Sequence, residues 1–261
     1  MSEPASAAAA FFANITNKRK QPSQSASPPP LTKETPNQRA KKQRRSKLAE
    51  WTTKSPYWEL IPKAVPKVAP EAAPEDNNLH TKLYDFFARH VKPVPDKVKM
   101  VGNEYAEKRL TGVFKRQAGT FEYSGSVKQA DGQWPAEVQQ LAEIAFKCLR
   151  REEDEAEDEA EAYVDASMWK TCFFNWYRDG SDSLGLHADS DGIDAPIASF
   201  SLGESRDFHV RCTATKTTMS RTLKSGDLLI MYPGMQQRYK HGVPARTTAM
   251  QGRINVTFRC T

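Results

Sequence analysis

The chain has 261 residues, with 38 Lys and Arg against 32 Asp and Glu, a net charge of +6 and a pI near 9.0. Apolar residues make up 38% and the mean hydropathy is -0.69, too polar for a chain packed from end to end, so part of it is expected to be unfolded. No apolar run approaches a membrane span, the Ala-rich start lacks a signal peptide's layout, and four scattered cysteines with no Cys-x-x-Cys pair argue against a zinc ribbon or disulfide scaffold.

Residues 1–78 read as a disordered, basic and Pro-rich tail, with Ser27-Pro28-Pro29-Pro30 and no sustained apolar period. Its two basic clusters are Lys18-Arg19-Lys20 and Lys41-Lys42 with Arg44-Arg45 and Lys47. They suit a nuclear-import signal, and hence a nuclear location, or a tether to phosphate backbones. A solubilising tail is the plainer alternative. Phe11-Phe12 resembles part of a short docking peptide for sliding clamps.

A folded domain is expected over 79–261. Leu79, Leu83, Phe86 and Phe87 recur at helical intervals, and Lys92-Pro93-Val94-Pro95 ends that helix. Residues 109–125 read as two short strands around a Gly turn. Pro135 opens a second helix, whose apolar face is Val138, Leu141, Ile144, Ala145, Cys148 and Leu149. The acidic block 152–161 reads as a solvated insert that would repel nucleic acid. From about 165 onward, short strand-like runs alternate with Gly turns, as in a double-sheet jelly roll. The expected fold class is therefore mainly β with flanking helices.

The chemistry concentrates in three places. His187 and Asp189 are two apart, so an imidazole and a carboxylate could converge on one point. A non-haem Fe(II) centre asks for two His and one carboxylate, and His241 returns at a strand end after several intervening strands. In Arg253-Ile254-Asn255-Val256-Thr257-Phe258-Arg259, four polar residues alternate with three apolar ones, so a strand would turn Arg253, Asn255, Thr257 and Arg259 to one face. Arginines aimed into a barrel are costly unless an anion meets them, and a dicarboxylate would do so. A solvated strand face is the alternative.

Together with Asn175-x-Tyr177, Ala195–Gly203 and Gly226–Met231, these residues resemble the AlkB family of Fe(II)- and 2-oxoglutarate-dependent dioxygenases, over about 95–261. The resemblance is closest to the eukaryotic nucleic-acid-repair branch. It implies that His187, Asp189 and His241 hold Fe(II), that Arg253 with Tyr177 binds the distal carboxylate of 2-oxoglutarate, and that Asn175 and Arg259 contact its other end, with Asn255 in the same row. Dioxygen is the third reactant. The implied reaction yields succinate and carbon dioxide while hydroxylating an N-alkyl carbon, and the resulting hemiaminal falls apart to an aldehyde and a repaired base.

The same resemblance implies a double-stranded β-helix with an N-terminal nucleotide-recognition lid at about 95–130. In that lid Arg109, Phe121 and Tyr123 would contact the base, Tyr123 stacking opposite the His187 ring, with Asp191 at the base edge. Met100-Val101 would be either an apolar finger filling the space of a flipped base or plain lid packing. Two departures from the duplex-repair pattern are Arg246-Thr247-Thr248, where a basic cluster is usual, and Ser190, where an acid is usual. A monomer acting on alkylated DNA is expected, with RNA or a protein substrate as alternatives and a non-catalytic binding protein disfavoured. His80, His90 and His209 read as packing or surface residues.

Overall fold

Several strands of the C-terminal half alternate apolar with polar residues, so one face of each needs apolar cover. The structure, a computed structural model, describes residues 51–66, 78–92, 94–100, 103–123, 126–150, 165–190 and 193–261, with the backbone alone over 98–100, 121–123 and 126. These residues all fall within one unit, Ala49–Thr261. Among them, no helix is long and apolar enough to cross a membrane.

Two antiparallel sheets face each other. The larger has seven strands in the order β1 (Lys54–Ser55), β2 (Trp58–Ile61), β13 (Leu228–Met231), β10 (Ile197–Gly203), β15 (Arg253–Arg259), β8 (Thr171–Tyr177) and β5 (Leu110–Lys115). The smaller runs β12 (Thr218–Leu223), β11 (Arg206–Cys212), β14 (Tyr239–Val243), β9 (Leu184–His187). This is the expected jelly roll. Helices α1 (Leu79–His90) and α2 (Ala136–Arg150) follow the periodicity read from the sequence, burying Leu83 and Phe87, and Val138 and Leu141.

The period of two divides the buried residues into two cores. Phe174, Phe200, Val256 and Phe258 join α1 and α2 on the outer face of the large sheet. Tyr177, Leu229 and Met231 meet Phe208, Val210 and Val243 between the sheets. Each fully buried side chain of this kind stabilises the fold by roughly 1.5–3 kcal/mol.

The expected boundary at residue 79 is wrong. Residues 51–66 do not belong to a disordered tail, because β1 and β2 extend the large sheet through β13, with Trp58 opposite Met231 and Leu60 opposite Leu229. Trp51, Trp58 and Leu60 are buried between the sheets. Three apolar residues suffice here because a neighbouring strand supplies their partners. The rest of the tail and the acidic block 152–161 lie outside the described residues.

Residues 109–125 hold two short strands, as expected, but the first belongs to the barrel and not to the lid. Strand β5 pairs with β8 along its whole length, so only β6 (Ala118–Tyr123) turns away, to pair with β7 (Ser126–Asp131). A second hairpin, β3 (Lys97–Met100) with β4 (Asn103–Ala106), completes the lid region. The run Leu184–His187 forms β9. Pairing with β14 orders it, although its own sequence carries no clear alternation.

Candidate active site

The cavity lies between the sheets, and each wall comes from a different one. On the smaller sheet, His187 of β9 is the register partner of His241 of β14, and their rings are 4.4 Å apart. Asp189 follows two residues after His187, so its carboxylate reaches both imidazoles. His187 Nε2 is 3.4 Å from Asp189 Oδ1, and His241 Nε2 is 3.8 Å from Oδ2. One donor atom from each of the three lies within 4.8 Å of the others. The strand pairing makes the group, since only the fold can bring His241 back.

Several contacts fix these ligands. His187 Nδ1 is 3.0 Å from Gly185 O, which leaves Nε2 facing Asp189. Phe208 stacks on the His241 ring at 5.5 Å. Gln236, buried on α3 (Met235–Arg238), accepts a 3.0 Å hydrogen bond from the Asp189 backbone N–H. Burial alone would raise the Asp189 carboxyl. The Arg259 guanidinium, 3.2 Å away, and the two imidazoles more than reverse this, holding it well below the usual carboxylate range. Burial pushes His241 down to about 4 against the pull of Asp189. At neutral pH the group therefore offers one carboxylate and a neutral, buried imidazole, the states a divalent cation needs. Two His and one carboxylate match Fe(II) in donor chemistry, and the spacing fits.

The larger sheet supplies the opposite wall. Along β15, Ile254, Val256 and Phe258 face the helices, while Arg253, Asn255, Thr257 and Arg259 line the cavity, as the alternation predicted. Arg253 is 1% exposed. Its Nη2 donates to Ser201 Oγ at 2.9 Å, and its guanidinium carbon lies 5.4 Å from the centre of the buried Tyr177 ring. Its Nε and Nη1 meet no acceptor among the described residues. Burial pushes Arg253 down to about 10, with Tyr177 opposing. A buried guanidinium with two open donors fits an oxyanion such as a carboxylate.

Asn175 and Asn255 are register partners on β8 and β15, and Asn175 Nδ2 donates to Asn255 Oδ1 at 3.3 Å. Asn255 Nδ2 in turn donates to Ser199 Oγ at 2.7 Å. Arg259 stands at the metal end, beside Asp189. The predicted metal and co-substrate residues are thus brought together in one cavity.

The base-recognition residues fare differently. Arg109 points inward and is 3% exposed, donating from Nε to Asn175 Oδ1 at 2.7 Å and pairing with Glu107 at 2.8 Å. Arg109 directly precedes β5, the edge strand of the large sheet, and this position turns it toward Asn175. Phe121 and Tyr123 lie on β6 and Met100 on β3, by backbone alone. Val101 and Asp191 lie outside the described residues.

Ser199 and Ser201, in register with Thr257 and Asn255, were missed in the sequence. The alternation in Ile197-Ala198-Ser199-Phe200-Ser201-Leu202 was the available signal. Phe208 and Gln236 carry no local signal. His80 is a packing residue, its Nε2 2.8 Å from Val65 O.

A family model, the 2OG-Fe(II) oxygenase superfamily, matches residues 87–259. The DNA oxidative demethylase ALKBH2 of Mus musculus is 34% identical over 96 residues, 33% of this chain and 40% of that protein. Its Homo sapiens counterpart is 32% identical over 107 residues, 37% and 41% of the two chains. The alpha-ketoglutarate-dependent dioxygenase alkB homolog 3 of Mus musculus is 36% identical over 97 residues, 33% and 34%. The chain thus spans about two fifths or less of the length of these relatives. The solved structure of OsALKBH1 shares the fold, with a TM-score of 0.53 at 19% identity, covering 80% of this chain and 100% of that one. A His-Asp-His donor group, an arginine-lined cavity and a family match over most of its length agree. The chain belongs to the 2OG-Fe(II) oxygenase superfamily, within its AlkB family of Fe(II)- and 2-oxoglutarate-dependent dioxygenases.

Proposed function

We propose that the protein is an oxidative demethylase of nucleic acid, repairing bases of the 1-methyladenine and 3-methylcytosine type in DNA and working in the nucleus. The observation that carries this reading is the similarity to both ALKBH2 and alkB homolog 3 in a chain that keeps all three metal donors and the buried Arg253. When bound, Fe(II) with 2-oxoglutarate and dioxygen supplies oxidative hydroxylation of an unactivated C–H bond.

The chain's own residues then have defined tasks. His187, Asp189 and His241 hold the ion. Arg253 pairs with the distal carboxylate of 2-oxoglutarate, and Ser201 and Tyr177 keep the guanidinium in place. Asn175 and Asn255 form the polar floor between that carboxylate and the metal end. The apolar flank, Phe173, Phe208 and Met231, excludes water from the reacting atoms. Hydroxylation of the N-methyl carbon gives a hemiaminal, whose C–N bond breaks to release formaldehyde and the unmethylated base.

Surface charge supports a polyanionic substrate. On the smaller sheet exposed Arg211 lies directly opposite exposed Lys240, and neither meets an acid among the described residues. Like charges across a strand pair destabilise it unless a counter-charge arrives. Arg246 is used internally, donating to Ser205 O and Thr248 Oγ1, which favours testing single strands beside duplex.

Mass spectrometry of 1-methyladenine and 3-methylcytosine in single-stranded DNA, duplex DNA and RNA, with Fe(II) and 2-oxoglutarate and His187→Ala as the blank, tests the proposal. Loss of methyl groups from DNA in wild type alone is expected. Equal product from both proteins would remove the metal assignment. Consumption of 2-oxoglutarate without oligonucleotide demethylation would point to another substrate.

A further inference from the structure

Four charged side chains outside the cavity are almost wholly withdrawn from water. Side-chain exposure is 2% for Lys128, 11% for Asp96, 2% for Glu107 and 4% for Arg109. Lys and Asp are rarely buried so deeply unless paired. Lys128 Nζ pairs with Asp96 Oδ2, and the same oxygen accepts from Thr111 Oγ1 at 2.8 Å. Thr111 sits on β5 as the register partner of Asn175, whose Oδ1 is held by Arg109. The β6–β7 hairpin, the predicted β-strand cover and the cavity wall are thus joined through a short run of polar contacts.

The hairpin also inverts the usual strand pattern. On β7, Val127 is 52% exposed while its neighbour Lys128 is buried, and every residue of β4 is exposed. Among the described side chains of these strands Lys128 alone is buried, so at that point a charge rather than an apolar side chain faces inward. A buried ion pair is a poor source of stability compared with apolar side chains of the same size, but it admits few geometries, and its best-attested use is to specify one arrangement.

We propose that the Lys128–Asp96 pair is a positioning element, setting the β6–β7 hairpin against the barrel edge beside Asn175 and so fixing how a nucleic-acid substrate is presented to the cavity. Phe121, opposite Lys128 in register, and Tyr123 ride on the same hairpin. The inference rests on the demethylase reading for its substrate, though not for the placement of the hairpin itself. Neither Lys128 nor Asp96 lines the cavity, so they act through the hairpin rather than on reacting atoms.

The test compares Lys128→Met, Lys128→Arg and the double variant Asp96→Asn/Lys128→Met with wild type. It reads melting temperature, amide exchange over residues 118–131 without substrate, and KM for methylated oligonucleotide and for 2-oxoglutarate. Lys128→Met should speed exchange in the hairpin and raise the oligonucleotide KM about tenfold, leaving the 2-oxoglutarate KM unchanged. Lys128→Arg, which keeps the pair, should stay near wild type. The double variant leaves no unpaired buried charge. It should regain the melting temperature while keeping the fast exchange and raised KM, and it carries the test if Lys128→Met fails to fold.

Wild-type exchange in the double variant, a parallel rise of both KM values, or unfolding of both variants would overturn the proposal. If wild type itself leaves methylated oligonucleotides untouched, the demethylase reading fails while the exchange data still judge the hairpin.

Discussion

The two sheets that face each other across the cavity solve opposite electrostatic problems. The larger presents buried cations: Arg253 and Arg259 on its strand β15, in a wall covered from behind by two helices. The smaller presents imidazoles on two neighbouring strands, one of them an edge. His187 on that edge keeps 27% of its side-chain surface exposed, against 6% for His241. The co-substrate wall is therefore closed and positively charged, while the metal wall carries the Asp189 carboxylate and is open on one side. A small dianion can be held deep in the barrel, and a large substrate must approach from the His187 edge.

The sharpest way to break this contrast is to remove a metal donor. His241→Ala should abolish Mn(II) binding and lower turnover at least about a hundredfold, more than loss of an outer partner usually costs. Titration of the ion and formaldehyde release would check it. Retained activity would mean that the smaller sheet does not hold the metal. Next in size is Trp58→Ala, which empties a 3%-exposed site between the sheets and should cost ~3–5 kcal/mol in denaturant unfolding. A negligible loss would detach β1 and β2 from the fold.

Arg253→Met separates the walls in a different way. It should weaken 2-oxoglutarate binding by ~2–5 kcal/mol in calorimetry with Mn(II). Stability without ligand should hold steady or rise, because a buried cation lacking a carboxylate is removed. Destabilisation of the free protein would instead make Arg253 a structural residue.

The wild-type Arg253 also predicts a pH limit. Burial holds it down to about 10 in the free protein, and a bound carboxylate raises it, so 2-oxoglutarate affinity is fully present below pH 10 and is lost as pH rises beyond that value. Binding isotherms across pH 8–11 would read it. The smallest effect is expected from Gln236→Leu, which removes the acceptor for the Asp189 backbone N–H and should weaken metal binding by about tenfold. An unchanged affinity would show that α3 plays no part in holding the carboxylate.

Legibility differed between these walls for a physical reason. The row Arg253, Asn255, Thr257, Arg259 could be read directly, because one strand sets it and a period of two is visible within seven residues. Ser199 and Ser201 follow the same rule and were equally available. Phe208 and Gln236 were not, since their roles depend on what a different strand or helix places beside them. The placement of Arg109 was the least legible. Nothing local distinguishes an arginine that faces a substrate from one that turns inward to Asn175 and Glu107.

The sequence by itself determined the helical and strand periods, the jelly-roll class, the pairing of His187 with Asp189 on one side of a turn and the polar face of the last strand. Each is set by spacing along a few residues of backbone. Only the tertiary structure decided that β9 lies against β14, so that His241 returns to His187, that residues 51–66 close one edge of the larger sheet, and that β5 belongs to the barrel rather than its cover. Those outcomes depend on which strand offers its hydrogen bonds and apolar partners, and that choice is made between segments far apart in the chain.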